Sequence, residues 1–287
     1  MKPTKGKIIG AILFLISIGF FTVQIAYFYA HHRFQVEYID NRLFYVITIL
    51  CVICLALALF LLLSFSKKQL VIGASIVSSL LLIQIVLLFM SNQDIKNITS
   101  ISPNFKQVLS LKEDPKTGET VYYRSYFGIL GRPIEVLPYE TNGEFKVDWL
   151  AKDVAAVTYT AADGMLQQFI GTYGERGRGG SYYYVGPEIH GVWQGTGVEV
   201  MSTSEGISVI MDGDRELFTW ENVFQFGTLA IVLKKDDEAA WTLSLNENFN
   251  FHTEASIPAS GNITLYEATM DKTVPFVLER IGDYEEN

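Results

Sequence analysis

The run IIGAILFLISIGFFTVQIAYFYA, Ile8–Ala30, is 23 residues long and carries no charge. A helix needs about 20 apolar residues to cross the hydrocarbon core of a bilayer. Two more runs follow: Leu43–Phe65, again 23 residues without a charge, and Leu70–Met90, 21 residues whose one strongly polar side chain is Gln84. A charge at the centre of a membrane helix costs roughly 2.5–3.5 kcal/mol, so three charge-free runs divided by charged connectors predict three transmembrane helices. The first run exceeds the 7–15 residues of a cleaved signal, and Phe28-Tyr29-Ala30 supplies half of an A-x-A site, so it reads as an uncleaved signal-anchor.

Basic side chains give the direction. Lys2, Lys5 and Lys7 precede the first run, and Lys67 and Lys68 fill the connector 66–69. Short basic segments stay on the cytoplasmic side. The expected topology has the N-terminus inside, 31–42 outside, 66–69 inside and everything after Met90 outside, in a plasma membrane. Residues 1–90 carry seven basic and two acidic side chains, net +5; residues 91–287 carry 15 and 29, net −14. So acidic an exported part argues against nucleic acid as a partner. The chain is 49% hydrophobic with 23 Gly and 2 Cys, which excludes a disordered, collagen-like or disulfide-scaffold protein. Both cysteines, Cys51 and Cys54, lie in the second run, so the exported part has none, which favours a bacterial envelope.

The expected organisation is a three-helix anchor (1–90), a polar linker (91–104) with Pro103, and an extracytoplasmic domain (105–287). Glu140–Gly143 reads as a polar joint that would set off a smaller β subdomain. Within 105–287, strand-like runs recur about every ten residues, each closed by a turn signal. Gln107–Lys112 and Thr120–Tyr126 flank Asp114-Pro115-Lys116-Thr117-Gly118; Val154–Thr160 and Met165–Tyr173 flank Ala161-Ala162-Asp163-Gly164; Val198–Ser202 and Ile207–Asp212 flank Thr203-Ser204-Glu205-Gly206. Arg215–Trp220, Phe224–Leu233, Ala240–Leu245, Ile263–Ala268 and Pro275–Arg280 complete the set. Trp241, Leu243 and Leu245 alternate with Thr242, Ser244 and Asn246, the period of a strand with one face on a core and the other in water. The fold class expected is a membrane-anchored α+β chain: three transmembrane helices followed by a mainly antiparallel all-β domain, a sandwich or barrel.

Two amides interrupt the apolar runs. Gln24 and Gln84 stand 16 and 14 residues from the inner ends of their spans, at similar depth. Hydrocarbon offers an amide no partner, so the expectation is that they hydrogen-bond each other. Cys51 and Cys54 share a helix face; with no His, Asp or Glu in the spans to complete a ligand set, they read as small packing residues. His31, His32, Glu37 and Asp40 crowd the outer connector and read as solvated at headgroup level.

Catalytic motifs are sparse. G-x-S-x-G and H-E-x-x-H do not occur, and the one S-x-x-K, Ser64-Phe65-Ser66-Lys67, sits at the mouth of the second span. The most unusual stretch is Gly174–Ser181, where Arg176 and Arg178 stand among glycines ahead of Tyr182, Tyr183 and Tyr184. Gly-rich backbone and two guanidiniums suit an anion, and Tyr182, Tyr184 and Trp193 would supply an aromatic wall for a sugar or peptide. Glu188 and His190, two apart, would project from one side of an extended segment. No cofactor and no metal are expected. The function expected is binding of a membrane-protein or cell-wall partner, or an envelope ligand, by the exported domain. The alternatives are a hydrolase of an envelope polymer and an accessory or sensory subunit of a transport complex.

Overall fold

The computed structural model describes residues 5–174, 184–250 and 260–283. Three long helices come first: α1 (Lys5–Phe34), α2 (Arg42–Leu62) and α3 (Lys67–Asp94), each long and apolar enough to cross a membrane. Strand β1 (Glu37–Tyr38) occupies the connector between α1 and α2. Ser66 starts α3 with a capping box: its side chain accepts from the Gln69 backbone N–H, and Gln69 returns the bond to the Ser66 backbone. The lone S-x-x-K is therefore a helix cap.

Residues 91–104, expected to be a polar linker, contain the end of α3 and strand β2 (Lys96–Ile101). Serine, asparagine and threonine mark loops by composition, but an edge strand tolerates them because one face stays wet. Strands β3 (Val108–Glu113), β4 (Thr120–Phe127) and β5 (Leu130–Val136) follow, and the five form one sheet in the order β1-β5-β4-β3-β2. By contacts the chain divides into two units. One is the chain up to Thr99 together with Ser110–Val136; the other is Ser100–Leu109 together with everything from Leu137 on. The division falls a few residues before Glu140–Gly143, and Thr141 already begins a strand.

The second unit holds a three-stranded sheet, β6 (Thr141–Ala151), β7 (Val154–Ala161) and β8 (Leu166–Thr172), and a nine-stranded one. After the short helix α4 (Val185–Glu188), the larger sheet comprises β9 (Gly191–Gly195), β10 (Val198–Ser202), β11 (Gly206–Met211), β12 (Asp214–Thr219), β13 (Val223–Phe226), β14 (Ala230–Lys235), β15 (Glu238–Leu245), β16 (Asn262–Glu267) and β17 (Phe276–Gly282). Its order is β12-β11-β10-β9-β17-β16-β15-β14-β13, antiparallel throughout. The first and last strands of that order are consecutive in the chain, joined by the single 3-10 turn Trp220–Asn222. A sheet whose two ends are so tied must curl back on itself, and it forms a near-closed barrel.

Sequence alternation predicts one wet face for each strand, but β14 and β15 are buried on both. Ile231, Leu233, Leu243 and Leu245 enter the barrel core, while Ala230, Val232 and Ala239 pack in a second core with Val154, Ala156 and Ile170 of the small sheet. The polar face of β15 is closed by hydrogen bonding: Thr242 donates to Gln168, whose amide donates to Thr158 at 3.0 Å. Phe224–Leu233, read as one strand, is two strands around Gly227. There φ is +54°, and a Cβ would stand 2.2 Å from Thr172 Oγ1.

The barrel core also takes Trp193, which was expected to line a ligand site. Its ring is fully buried, stacked on Phe249 at 6.0 Å, and its indole N–H donates to the Ile189 carbonyl at 2.7 Å. Strand β9 pairs with β10 and β17 and so lies within the sheet, where an inward ring at this position fills the barrel. Trp193→Ala should cost roughly 3–5 kcal/mol in denaturant unfolding. Tyr184→Ala, at a residue 64% exposed, should change little. Equal effects of the two would contradict the assignment of Trp193 to the core.

Candidate functional site

The buried residues of α1 are Gly10, Ser17 and Gln24, seven apart. A seven-residue period is the seam of two helices packed in a left-handed crossing. Each of the three meets α2. A Cβ on Gly10 would lie 2.9 Å from Leu62 Cγ, so only hydrogen fits there. The Ser17 hydroxyl donates to the Cys51 carbonyl at 3.2 Å, and Cys51 Sγ donates back to the Ser17 carbonyl at 3.4 Å. Cys51 is therefore a packing residue of the seam. Gln24 Nε2 donates to the Phe44 carbonyl at 2.8 Å and to Thr48 Oγ1 at 2.9 Å, and Gln24 Oε1 accepts from Tyr38 at 3.2 Å.

Gln24 does not bond Gln84. Both ends of its amide are engaged by α2 and β1, and Gln84 Oε1 is buried with no hydrogen-bond partner among the described residues. Depth along a span was legible in the sequence; the side of the helix on which an amide faces was carried by the Gly10-Ser17-Gln24 period.

Beyond Gln24 the connector folds into a collar. Val36, Tyr38 and Ile39 are buried. Tyr38 stacks on Tyr27 at 4.2 Å, and its hydroxyl is pushed up to about 12, first by burial and then by Tyr27. Strand β1 pairs with β5, Glu37 opposite Gly131 and Tyr38 opposite Leu130. Lys112 on β3 reaches Glu37 at 2.7 Å; its side chain is only 4% exposed and its Nζ lies 4.1 Å from the Tyr123 ring centroid. Burial lowers the Lys112 ammonium from its ordinary value, opposed by its bond to Glu37 and by the charges of Glu37 and Asp40. Tyr123 is raised, by burial and then by Glu37. The Ser110 hydroxyl donates to the Ile39 carbonyl at 2.6 Å, and the Asn41 backbone N–H donates to Asn97 Oδ1 at 3.0 Å.

Asp40 completes the collar. Burial alone would raise its carboxyl, but the bonds and charge of Arg42, with the Thr99 hydroxyl, outweigh burial and lower it. His31, Glu37 and Asp40, expected to be solvated, thus have protein partners: the Val36 carbonyl, Lys112 and Arg42. The collar opens into a cavity of about 370 Å³. Tyr27, Phe44 and Tyr45 give it an aromatic wall, and Glu37, Asn41 and Ser91 a polar edge. Two of its ionisable groups, His31 and Glu37, already hold partners.

Of the residues singled out in the second unit, Trp193 is in the barrel core. Arg176, Arg178 and Tyr182 lie outside the described residues. Tyr184 is exposed ahead of α4, Glu188 ends α4, and His190 is exposed in the turn that follows. Since Glu188 is helical, the alternation of an extended segment does not apply to Glu188 and His190. Among the described residues no cluster of three His, Cys, Asp or Glu could hold a metal. No protein-family model, curated protein or solved structure matches this chain. The architecture defines the class: three apolar helices followed by antiparallel sheets.

Gln24→Leu removes three hydrogen bonds. At roughly 0.6 kcal/mol each within a membrane bundle, it should lower unfolding stability in micelles by about 2 kcal/mol. Gln84→Leu removes an unsatisfied carbonyl and should be neutral or stabilising; the reverse order would refute the seam. For Asp40, the folded value lies below the unfolded one, so its stabilisation is whole above about pH 4 and lost as pH falls through the lowered value. Asp40→Asn should therefore be less stable than the parent near pH 7, and thermal melts should show the gap narrowing as pH falls below about 4.

Proposed function

We propose that this chain is a multi-pass plasma-membrane protein of a bacterial envelope, N-terminus cytoplasmic, that holds its sheets outside the cell. There it binds a protein partner or an envelope ligand and performs no chemistry of its own. The observation that carries this reading is the collar. Strand β1 is built from the connector between two apolar helices and hydrogen-bonded into a five-stranded sheet, with Lys112–Glu37 closed beneath it. Helices and sheet thus share one fold, and the aromatic-walled cavity of about 370 Å³ is part of it. Preformed recesses of this size with few polar groups are suited to ligands or projecting side chains. The basic residues around Lys5 and Lys67 support the direction.

A second reading, an accessory or sensory subunit of a transport complex, is favoured by α3, which has no buried residue and so has a surface on which another membrane helix can pack. Hydrolysis of an envelope polymer would need Glu188 and His190 to converge, and the turn that follows α4 gives that no geometric support.

A photoreactive residue at Tyr45, on the cavity wall, tests the first reading in native membranes, with the same residue at Ile76 of α3 for comparison. A single adduct at Tyr45 whose mass is constant between preparations, and which Tyr27→Ala abolishes, is expected. An adduct confined to Ile76 would transfer support to the accessory-subunit reading. Adducts at neither position would overturn both.

A further inference from the structure

We propose a second binding site in the same unit: the cleft between the end of α1 and the start of β5 takes the phosphate of an anionic lipid headgroup. The cleft has a volume of about 340 Å³ and is lined by His32, Arg33, Phe34, Gln35, Arg132 and Pro133.

Arg132 is held in place before any ligand arrives. Its Nε–H donates to the Phe34 carbonyl at 3.1 Å, and its guanidinium carbon lies 4.3 Å from the Tyr126 ring centroid. One of the five guanidinium N–H donors is spent on the helix; among the described residues no ion pair engages the other four. Arg33 is also without a carboxylate among the described residues; its guanidinium carbon lies 5.8 Å from the Phe34 ring centroid. The acids of the connector are already engaged, Glu37 by Lys112 and Asp40 by Arg42. Two guanidiniums lining one cleft, with no ion pair among the described residues, are the arrangement that grips a phosphate through paired N–H donors. The negative end of α1 opposes an anion with about half a charge, and two full cations outweigh it.

Position selects a lipid over a free anion. The charge-free run ends at Ala30, so His32–Gln35 lie just beyond it, where acyl chains give way to headgroups. Phe34 of the lining is 36% exposed, and Ile134, next in the chain to the lining residue Pro133, is 58% exposed. Ile134 is skipped by the β4–β5 register, a bulge that sets exposed apolar surface next to the cleft. A ligand matching both has a phosphate joined to hydrocarbon.

The test uses the full chain in nanodiscs, released gently and weighed with its bound lipid by native mass spectrometry. One arm has phosphatidylglycerol in phosphatidylcholine, a second phosphatidylcholine alone, and a third the first mixture with millimolar inorganic phosphate. The parent should retain phosphatidylglycerol in preference to phosphatidylcholine. Arg33→Gln with Arg132→Gln should cut that retention roughly thirtyfold, five- to sixfold per guanidinium. The charge-matched control, Lys116→Gln with Lys272→Gln, should leave it unchanged. If the double variant does not fold, Arg33→Gln alone, at an exposed side chain with no hydrogen bond to lose, should give the fivefold loss. Displacement by inorganic phosphate would overturn the assignment to lipid in favour of a soluble anion. Equal retention of both lipids, or equal loss in the control, would overturn the site.

Discussion

A side-chain amide inside hydrocarbon has no water to fall back on, and its partners must come from the protein. Gln24 meets that constraint with three bonds that point in two directions, two to α2 and one to the connector. Much else depends on this choice. It sets the rotation of α1 against α2, which aligns Ser17 with Cys51 and leaves room only for Gly10 at the far end. It also anchors Tyr38, and with Tyr38 the strand that enters the five-stranded sheet. A buried amide thus carries register from the apolar helices into the sheet, the use of buried polarity best attested in helical assemblies.

Just above, the same logic applies to charge. Lys112 is almost wholly buried, and burial disfavours its ammonium. The Glu37 carboxylate and the Tyr123 ring face compensate, and the cost of losing either partner is larger than the net worth of the pair. Polar groups in the collar are consequently tied to one another. Among the described residues, Arg33 and Arg132 at its rim have no ion pair.

What could be read from the sequence followed from local physics. Hydropathy placed all three helices, and turn chemistry placed most hairpins, as at Asp114–Gly118, where the Gly118 N–H returns to the Asp114 carbonyl at 2.8 Å. Besides β1 in the connector and β2 in the expected linker, strands β5, β6 and β9 escaped. Pro133 interrupts β5, β6 begins inside a polar stretch read as a joint, and β9 is short and bounded by Gly191 and Gly195. Their strand character comes from neighbours, not from their own composition. Candidate site residues were the least legible. Trp193 looks the same in sequence whether it fills a barrel or walls a groove. Glu37, Asp40 and His31 looked solvated because Lys112 and the Val36 carbonyl reach them only through the fold.

The single turn Trp220–Asn222 has a consequence for how this protein meets others. By tying the ends of the nine-stranded order together it leaves terminal strands of only six and four residues, β12 and β13. Long, flat sheet margins are templates on which a foreign peptide zips up or identical chains stack into fibrils. Here that template is kept short and turned inward, so fibril growth from this barrel is disfavoured. At the barrel, an extended peptide therefore finds little unpaired backbone on which to add a strand.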